Sequence, residues 1–306
     1  MSDHVHQPVH AANSSDLGIS AKSQVDPRSL DDDTRDLDIL YQDEHLVAID
    51  KPAGVLTHRS RIAADRGASA MERIRDQLGA WVYPIHRLDR ATSGVLLFAL
   101  NPSVARAAQE VLMGGQVTKR YLAVTRGYAP EQAEVTRALQ ERPDRITDQL
   151  ATPNKPPQAA HTSLTTWAYC SLGVSIGRYP TTRLSLVEAR PHTGRRHQIR
   201  RHLAGLSYPL VGDTSHGRGE LNRLFRERYG CHRLLLASLE LSLPHPVSGA
   251  QMTIEAPLRG VMAQVCAELF LEERSSDQAS GSESPPRESL VWLSDPQSLR
   301  QRFASS

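Results

Sequence analysis

The chain has 306 residues, 39% hydrophobic and 23% charged, enough for one large globular domain or two modest ones. Nineteen glycines and nineteen prolines are too few for a collagen-like or wholly disordered chain, and no apolar run is long enough for a membrane span. The net charge of +2 is unevenly spread: residues 1–50 sum to −8 and residues 272–306 to −2, leaving +12 on the body between them.

The N-terminus, MSDHVHQPVHAANSSD, is polar and His-rich, without the apolar stretch of a secretory signal. Residues 1–36 lack periodicity and read as a disordered acidic arm. The segment LDILYQDEHLVAIDKP reads as two short strands around an Asp43-Glu44 turn. Ser69 with Glu72 makes a capping box for a helix carrying Met71, Ile74 and Leu78 on one face and ending at Gly79. GVLLFAL is a strand buried on both faces. Asn101 and Pro102 open a helix with Val104, Ala108 and Leu112, stopped by Gly114-Gly115. TKRYLAVTRG follows as a strand, and the Pro-rich stretch 140–160 is a long connection. Further strands are expected at 183–190, 232–243 and 251–256, with Ala237, Leu239, Leu241 and Leu243 alternating against polar partners. A helix over about 258–271 closes the folded unit, taken as 37–271. Residues 272–306, rich in Ser, Glu and Pro, read as a disordered tail with a short apolar patch near Val291 and Trp292. Strands and helices in irregular order indicate an α+β fold with a mixed, mostly antiparallel sheet.

A basic body between acidic ends fits a polyanion partner or a solvated charged surface. Cys170, Cys231 and Cys266 are sparse and form no CxxC pair, so neither a disulfide framework nor a zinc site is expected. Three segments could carry chemistry. In YPIHRLDRATSGVLLFAL, Asp89 lies between Arg87 and Arg90 ahead of a buried strand; it is either a turn cap or an ionised nucleophile. In EARPHTGRRHQIRRHLAGLSYPLVGDTSHG, Thr193 could N-cap a helix from about Arg195, with Ile199, Leu203 and Leu206 buried. Arg195, Arg196, Arg200 and Arg201 on that helix suit phosphate contact or a basic surface, and the five-residue spacing of His192, His197 and His202 does not suit metal ligation. In QVTKRYLAVTRG, Tyr121 beside Lys119 and Arg120 is either a stacking platform for a base or a core residue.

Taken together, these motifs resemble the RluA-type pseudouridine synthases. His86-Arg87-Leu88-Asp89 with Thr92-Ser93-Gly94 looks like that family's signature, and LYQDEHLVAIDKPAGVLTH, KRYLAV, TGRRHQIRRHL and YPLVGDTSHG follow in the family's order. The stretch around TGRRHQIRRHL looks most like the branch that modifies uridine 65 of tRNA. The resemblance covers about 37–260 and implies a mixed sheet with a central cleft. It implies that Asp89 is the catalytic carboxylate, Arg200 its ion-pair partner and Tyr121 the residue against the target uracil. Arg87 would help push the base out of its helix, with His86, Arg195, Arg196 and His197 also facing RNA. The isomerisation takes no atoms from a cofactor, so neither cofactor nor metal is expected. The partner is RNA, expected to be tRNA; no membrane and no obligate protein partner are implied, and the expected location is cytoplasmic. Two other readings stay open: the same chemistry on ribosomal RNA, and a non-catalytic RNA-binding or chaperone module.

Overall fold

The computed structural model describes residues 36–58, 67–140, 156–271 and 287–293. The expected N-terminal arm up to 35, the connection over 141–155 and the tail over 272–286 and 294–306 lie outside the described residues.

Strands β1 (Ile39–Gln42) and β2 (Leu46–Lys51) form the first hairpin, its turn closed by Asp43, whose carboxylate accepts from the backbone N–H of His45 and Leu46. Helix α1 (Ala70–Leu78) begins with the reciprocal Ser69–Glu72 capping box and ends at Gly79 in the left-handed region. After β3 (Tyr83–Pro84) and β4 (Ser93–Ala99), helix α2 (Pro102–Met113) starts where the Asn101 side chain accepts from the Val104 N–H. Then come β5 (Thr118–Arg126), β6 (Gln132–Val135), β7 (Thr162–Leu172) and β8 (Thr182–Pro191). Helices α3 (Gln198–Gly205) and α4 (Gly219–Tyr229) precede β9 (Leu236–Pro244) and β10 (Gln251–Glu255). Helix α5 (Gly260–Cys266) runs into a π turn, Ala267–Leu271, and β11 (Arg287–Trp292) follows.

Among the described residues the strands form one sheet, in the order β1-β2-β4-β9-β5-β8-β7-β11, with β3 on β4, β6 on β7 and β10 on β9. Every pairing is antiparallel except the short one between β4 and β9, as the α+β expectation requires. That parallel contact joins the two halves of the sheet at Ser93–Ala237 and Gly94–Ser238. A side chain at Gly94 would put its Cβ 2.0 Å from the Ser238 carbonyl oxygen, and its φ of +104° is open to glycine. The halves therefore meet only because position 94 has no Cβ.

Alternation along β5 sorts the core into two faces. Leu122 and Val124 pack with Phe225 of α4 and Phe270 beyond α5. Tyr121 and Ala123 look to the other face, where Val187, Ile199 and Leu203 pack and the cleft opens.

Two expectations need correction. The helix expected from about Arg195 starts at Gln198, because the buried Gln198 amide holds the preceding turn. Its Oε1 accepts from the Thr193 hydroxyl (2.6 Å) and the Arg195 N–H (3.0 Å), so Thr193 is not the cap, and Leu206 lies exposed rather than in the buried stripe. Within the tail taken as disordered from 272, residues 287–292 form β11. β7 offers an open backbone edge there, and Leu290 and Trp292 pack against the core cluster beside it.

Candidate active site in a basic cleft

Asp89 sits on the loop between β3 and β4, and that loop is fastened from behind by the segment after β2. The Thr57 hydroxyl donates to the Leu88 carbonyl (3.1 Å) and accepts from the Leu88 N–H (3.2 Å). The Arg90 carbonyl accepts from the Gly54 N–H (2.8 Å), and Arg90 Nε donates to the Gly54 carbonyl (2.6 Å). Lys51, fully buried, donates from Nζ to the carbonyls of Pro52, Val55 and Arg90. Burial, and then the charge of Arg233, lowers its pKa to about 7. Residues 88 and 90 are thus both tied, and Asp89 between them points into a cleft of about 330 Å³. That volume is at the small end for a ligand site, enough for one base.

Across the cleft, α3 brings Arg200. Its Nη1 lies 3.3 Å from Asp89 Oδ2, so the expected pair is present. The stronger partner is Asp213, which takes Nε on Oδ2 and Nη2 on Oδ1, both at 2.8 Å. The Asp213 side chain is 0% exposed, and Oδ1 also accepts from the Ser215 and His216 N–H groups. Burial alone would raise its pKa, but the hydrogen bonds and charge of Arg200 and those backbone groups hold it below the usual carboxylate range. The Arg200 guanidinium is held above its ordinary value against its own burial by the same two carboxylates. Sequence reasoning did not single out Asp213. Its one local cue was the Gly-Asp pair: at Gly212 (φ +78°) a Cβ would lie 1.9 Å from the Arg233 carbonyl oxygen.

The pattern in HQIRRH becomes clear on α3. Gln198 and His202, one turn apart, converge on Thr162 at 2.9 Å each, while Ile199 and Leu203 face the core. Arg200 is left facing the two aspartates.

His197 precedes α3 in the left-handed region, φ +53°, a strained place for a side chain other than glycine. Its Nε2 is 3.9 Å from Asp89 Oδ2, too far for a hydrogen bond, while Nδ1 meets His216 Nε2 at 3.1 Å. Burial lowers its pKa to about 4, and the charges of Arg200 and Arg196 add to this against the pull of Asp89. The ring is neutral at pH 7.

Tyr121 lies on the cleft floor with 9% exposure, both packed in the core and lining the site. Burial raises its pKa to about 12, opposed by a hydrogen bond with the Ser238 side chain and reinforced by Asp89, so the phenol keeps its proton. Its neighbour Arg120 is not available for stacking. That guanidinium is clamped by Glu188 of β8 and Glu240 of β9 at 2.7 Å each. Lys119, by contrast, lines the cleft with its pKa lowered by burial.

His86 also lines the cleft, but its Nε2 accepts from the Leu97 N–H at 3.2 Å, and burial lowers its pKa to about 3. It is therefore a neutral brace for the loop rather than a cationic phosphate contact. Arg87 and Arg195 are exposed at the cleft, and Arg196 is half-buried beside them. Arg195 Nε donates to the Ala159 carbonyl at 3.1 Å. The site thus combines one carboxylate, its guanidinium, a protonated phenol and a rim of arginines. No described helix is long and apolar enough to cross a membrane.

Residues 45–205 match the family model described as RNA pseudouridylate synthase. A Pectobacterium carotovorum protein named tRNA pseudouridine synthase C is 47% identical over 74% of this chain and 62% of its own length. A Yersinia pestis protein of the same name is 44% identical over 74% of this chain and 90% of its own. The solved structure of human RNA pseudouridylate synthase domain containing 1 superposes with a TM-score of 0.60 at 22% identity, covering 89% of this chain and 96% of that one, which speaks to the fold. With that fold, those relatives and Asp89 facing Arg200 across a basic cleft, the chain belongs to the RNA pseudouridylate synthase family.

Proposed function

We propose that this protein isomerises a uridine of tRNA to pseudouridine, with uridine 65 as its target and the cytoplasm as its place of work. The observation that carries the chemistry is the Asp89–Arg200 contact of 3.3 Å on a cleft wide enough for one base and rimmed by arginines. The tRNA assignment rests on the 44–47% identity to proteins named tRNA pseudouridine synthase C.

The reaction breaks the bond between N1 of uracil and C1′ of ribose, turns the ring and joins C5 to C1′. The proton leaves C5 and N1 gains one, so the product is an isomer and no atom from a cofactor is required. Glycoside hydrolysis generally uses two carboxylates, one to protonate the leaving group. One is enough here, because uracil leaves as a resonance-stabilised anion. Asp89 supplies that carboxylate, by attack on C1′ or by taking a ribose proton. Arg200, fixed by Asp213, keeps it aimed. Tyr121 stacks under the base with its phenol protonated. Arg87 occupies the space the flipped nucleotide vacates, and Arg195 and Arg196 hold the backbone. Their contacts offset the few kcal/mol needed to unstack the base.

The test is pseudouridine formation in unmodified tRNA transcripts. The reading expects modification at uridine 65 and none in a transcript carrying cytidine there. Modification of ribosomal RNA alone would transfer the same chemistry to another substrate, and RNA binding without modification of either would favour a chaperone.

A further inference from the structure

We propose that Glu134, His161 and His192 form a binding site for a borderline divalent transition-metal ion, of which zinc is the natural probe. The three side chains come from β6, the residue before β7 and the residue after β8. Their ligand atoms all lie within 4.8 Å of one another, and this is the one such group found among the described residues. His161 Nε2 is 2.6 Å from Glu134 Oε2, and the two imidazoles are stacked with centroids 4.2 Å apart. The Ser163 hydroxyl lies between, 2.9 Å from Glu134 Oε2 and 2.6 Å from His192 Nε2.

The backbone beneath is rigid. Glu134 pairs with Ser163, Ser163 pairs with Arg190, and the His192 N–H donates to the His161 carbonyl at 3.0 Å. A tetrahedral ion bound at about 2.0–2.2 Å needs donors about 3.3–3.6 Å apart, so only side-chain torsions have to adjust. Two imidazole nitrogens and one carboxylate oxygen make a three-ligand set, and solvent fills the fourth position. Imidazole donors select zinc, nickel, cobalt or copper over magnesium, which takes oxygen ligands and accompanies RNA. The donors are 27 and 31 residues apart in sequence, so no local spacing announces them. The expectation of a metal-free chain drew on the absence of a CxxC pair, on a reaction that needs no cofactor and on the spacing of His192, His197 and His202; the fold brings His192 to different partners. None of the three residues lines the Asp89 cleft itself, whose lining includes Pro191 and Thr193 on either side of His192. An ion there would brace three strands at the cleft rim.

The test is zinc titration of the full, untagged, chelator-stripped chain against a chromophoric competitor, in millimolar magnesium. Wild type is compared with the His161→Ala/His192→Ala double variant and with Glu134→Gln, whose apo melting temperatures establish that they fold. The proposal expects the double variant to bind one zinc equivalent fewer. Since even outer partners of a metal ligand matter about 10–100-fold, Glu134→Gln should weaken that equivalent at least about tenfold. Zinc should also raise the melting temperature of wild type and not of the double variant. His4, His6 and His10 near the N-terminus are shared by all three proteins, so zinc held there cancels in the comparison. Equal zinc stoichiometry in wild type and double variant would overturn the proposal, as would magnesium displacing the zinc.

Discussion

Arg200 and Asp213 face each other through two parallel hydrogen bonds of 2.8 Å, and this pairing leaves Nη1 of the same guanidinium to meet Asp89 at 3.3 Å. One buried carboxylate thus aims the cation that the half-buried Asp89 carboxylate uses. Asp213→Asn keeps the volume but leaves Arg200 buried without its main counter-charge. Removing one partner of a buried pair costs about 3–5 kcal/mol. Turnover should fall by about ten- to a hundredfold through misplacement of Asp89, with RNA affinity within a few-fold of wild type. Arg200→Lys should do little better than Arg200→Ala, because a point charge cannot span two carboxylates. Thermal melts and single-turnover kinetics measure both effects, and an unimpaired Asp213→Asn enzyme would remove Asp213 from the account.

Tyr121 offers two separable properties, a ring on the cleft floor and a phenol that stays protonated up to about pH 12. Tyr121→Phe should bind RNA normally and turn over slowly, whereas Tyr121→Ala should lose the flipped base as well. Stacking of a base on an aromatic ring contributes about 1–3 kcal/mol, so the alanine variant should bind about 5- to 150-fold more weakly. Binding and turnover measured in parallel separate the two, and full activity in Tyr121→Ala would leave the ring a core residue only.

Acidification should destabilise the fold through its buried histidines. Burial lowers the pKa of His86 to about 3 and of His197 to about 4, whereas an unfolded imidazole titrates near 6.5. Between pH 6.5 and 4 the unfolded chain therefore binds more protons, and stability is lost as pH falls. The slope is up to about 1.4 kcal/mol per pH unit for each histidine. Asp50, raised to about 6 by burial, acts in the opposite sense between its unfolded value and 6. His86→Gln keeps an acceptor for the Leu97 N–H and should flatten the decline in melting temperature between pH 6.5 and 5. A slope equal to wild type would mean that His86 carries a proton in the folded state.

Local physics made much of this legible beforehand. The Ser69–Glu72 capping box, the Asn101-Pro102 start and the alternation from Ala237 to Leu243 each fix an element within a few residues, and each is found. β7 escaped because a bulge at Thr166–Ala168 breaks its alternation, and beyond it nearly every residue is buried. α4 did carry a readable signal, Leu221, Phe225 and Tyr229 at one-turn intervals, under a surface of arginines that masked it. In the site, Asp89, Arg200 and Tyr121 were named from motifs, and the fold brings them to one cleft. Asp213 and Lys51 were not, since their roles depend on partners 13 and 39 residues away.

β11 makes a prediction about the C-terminus. A chain ending at Leu271 loses the strand that caps β7, together with Leu290 and Trp292 on the core. Losing about 2 kcal/mol of apolar burial should lower the melting temperature by about 4–8 °C. Turnover should persist, because β8 and β7 stand between β11 and Tyr121 on β5. Thermal melts and activity of the truncated chain check both statements; unchanged melting would mean that β11 contributes nothing to the fold.

The most direct measurement is single-turnover pseudouridine formation by Asp89→Asn on an unmodified tRNA transcript, with RNA affinity measured alongside. The substitution keeps the shape of the side chain on its fastened loop and removes its charge, so folding and binding should survive. Taking a negative group out of a cleft that receives phosphates should even tighten binding slightly. An amide neither attacks C1′ nor accepts a ribose proton, so turnover should be undetectable while the transcript stays bound. Pseudouridine formation at the wild-type rate by Asp89→Asn would contradict the account at its centre.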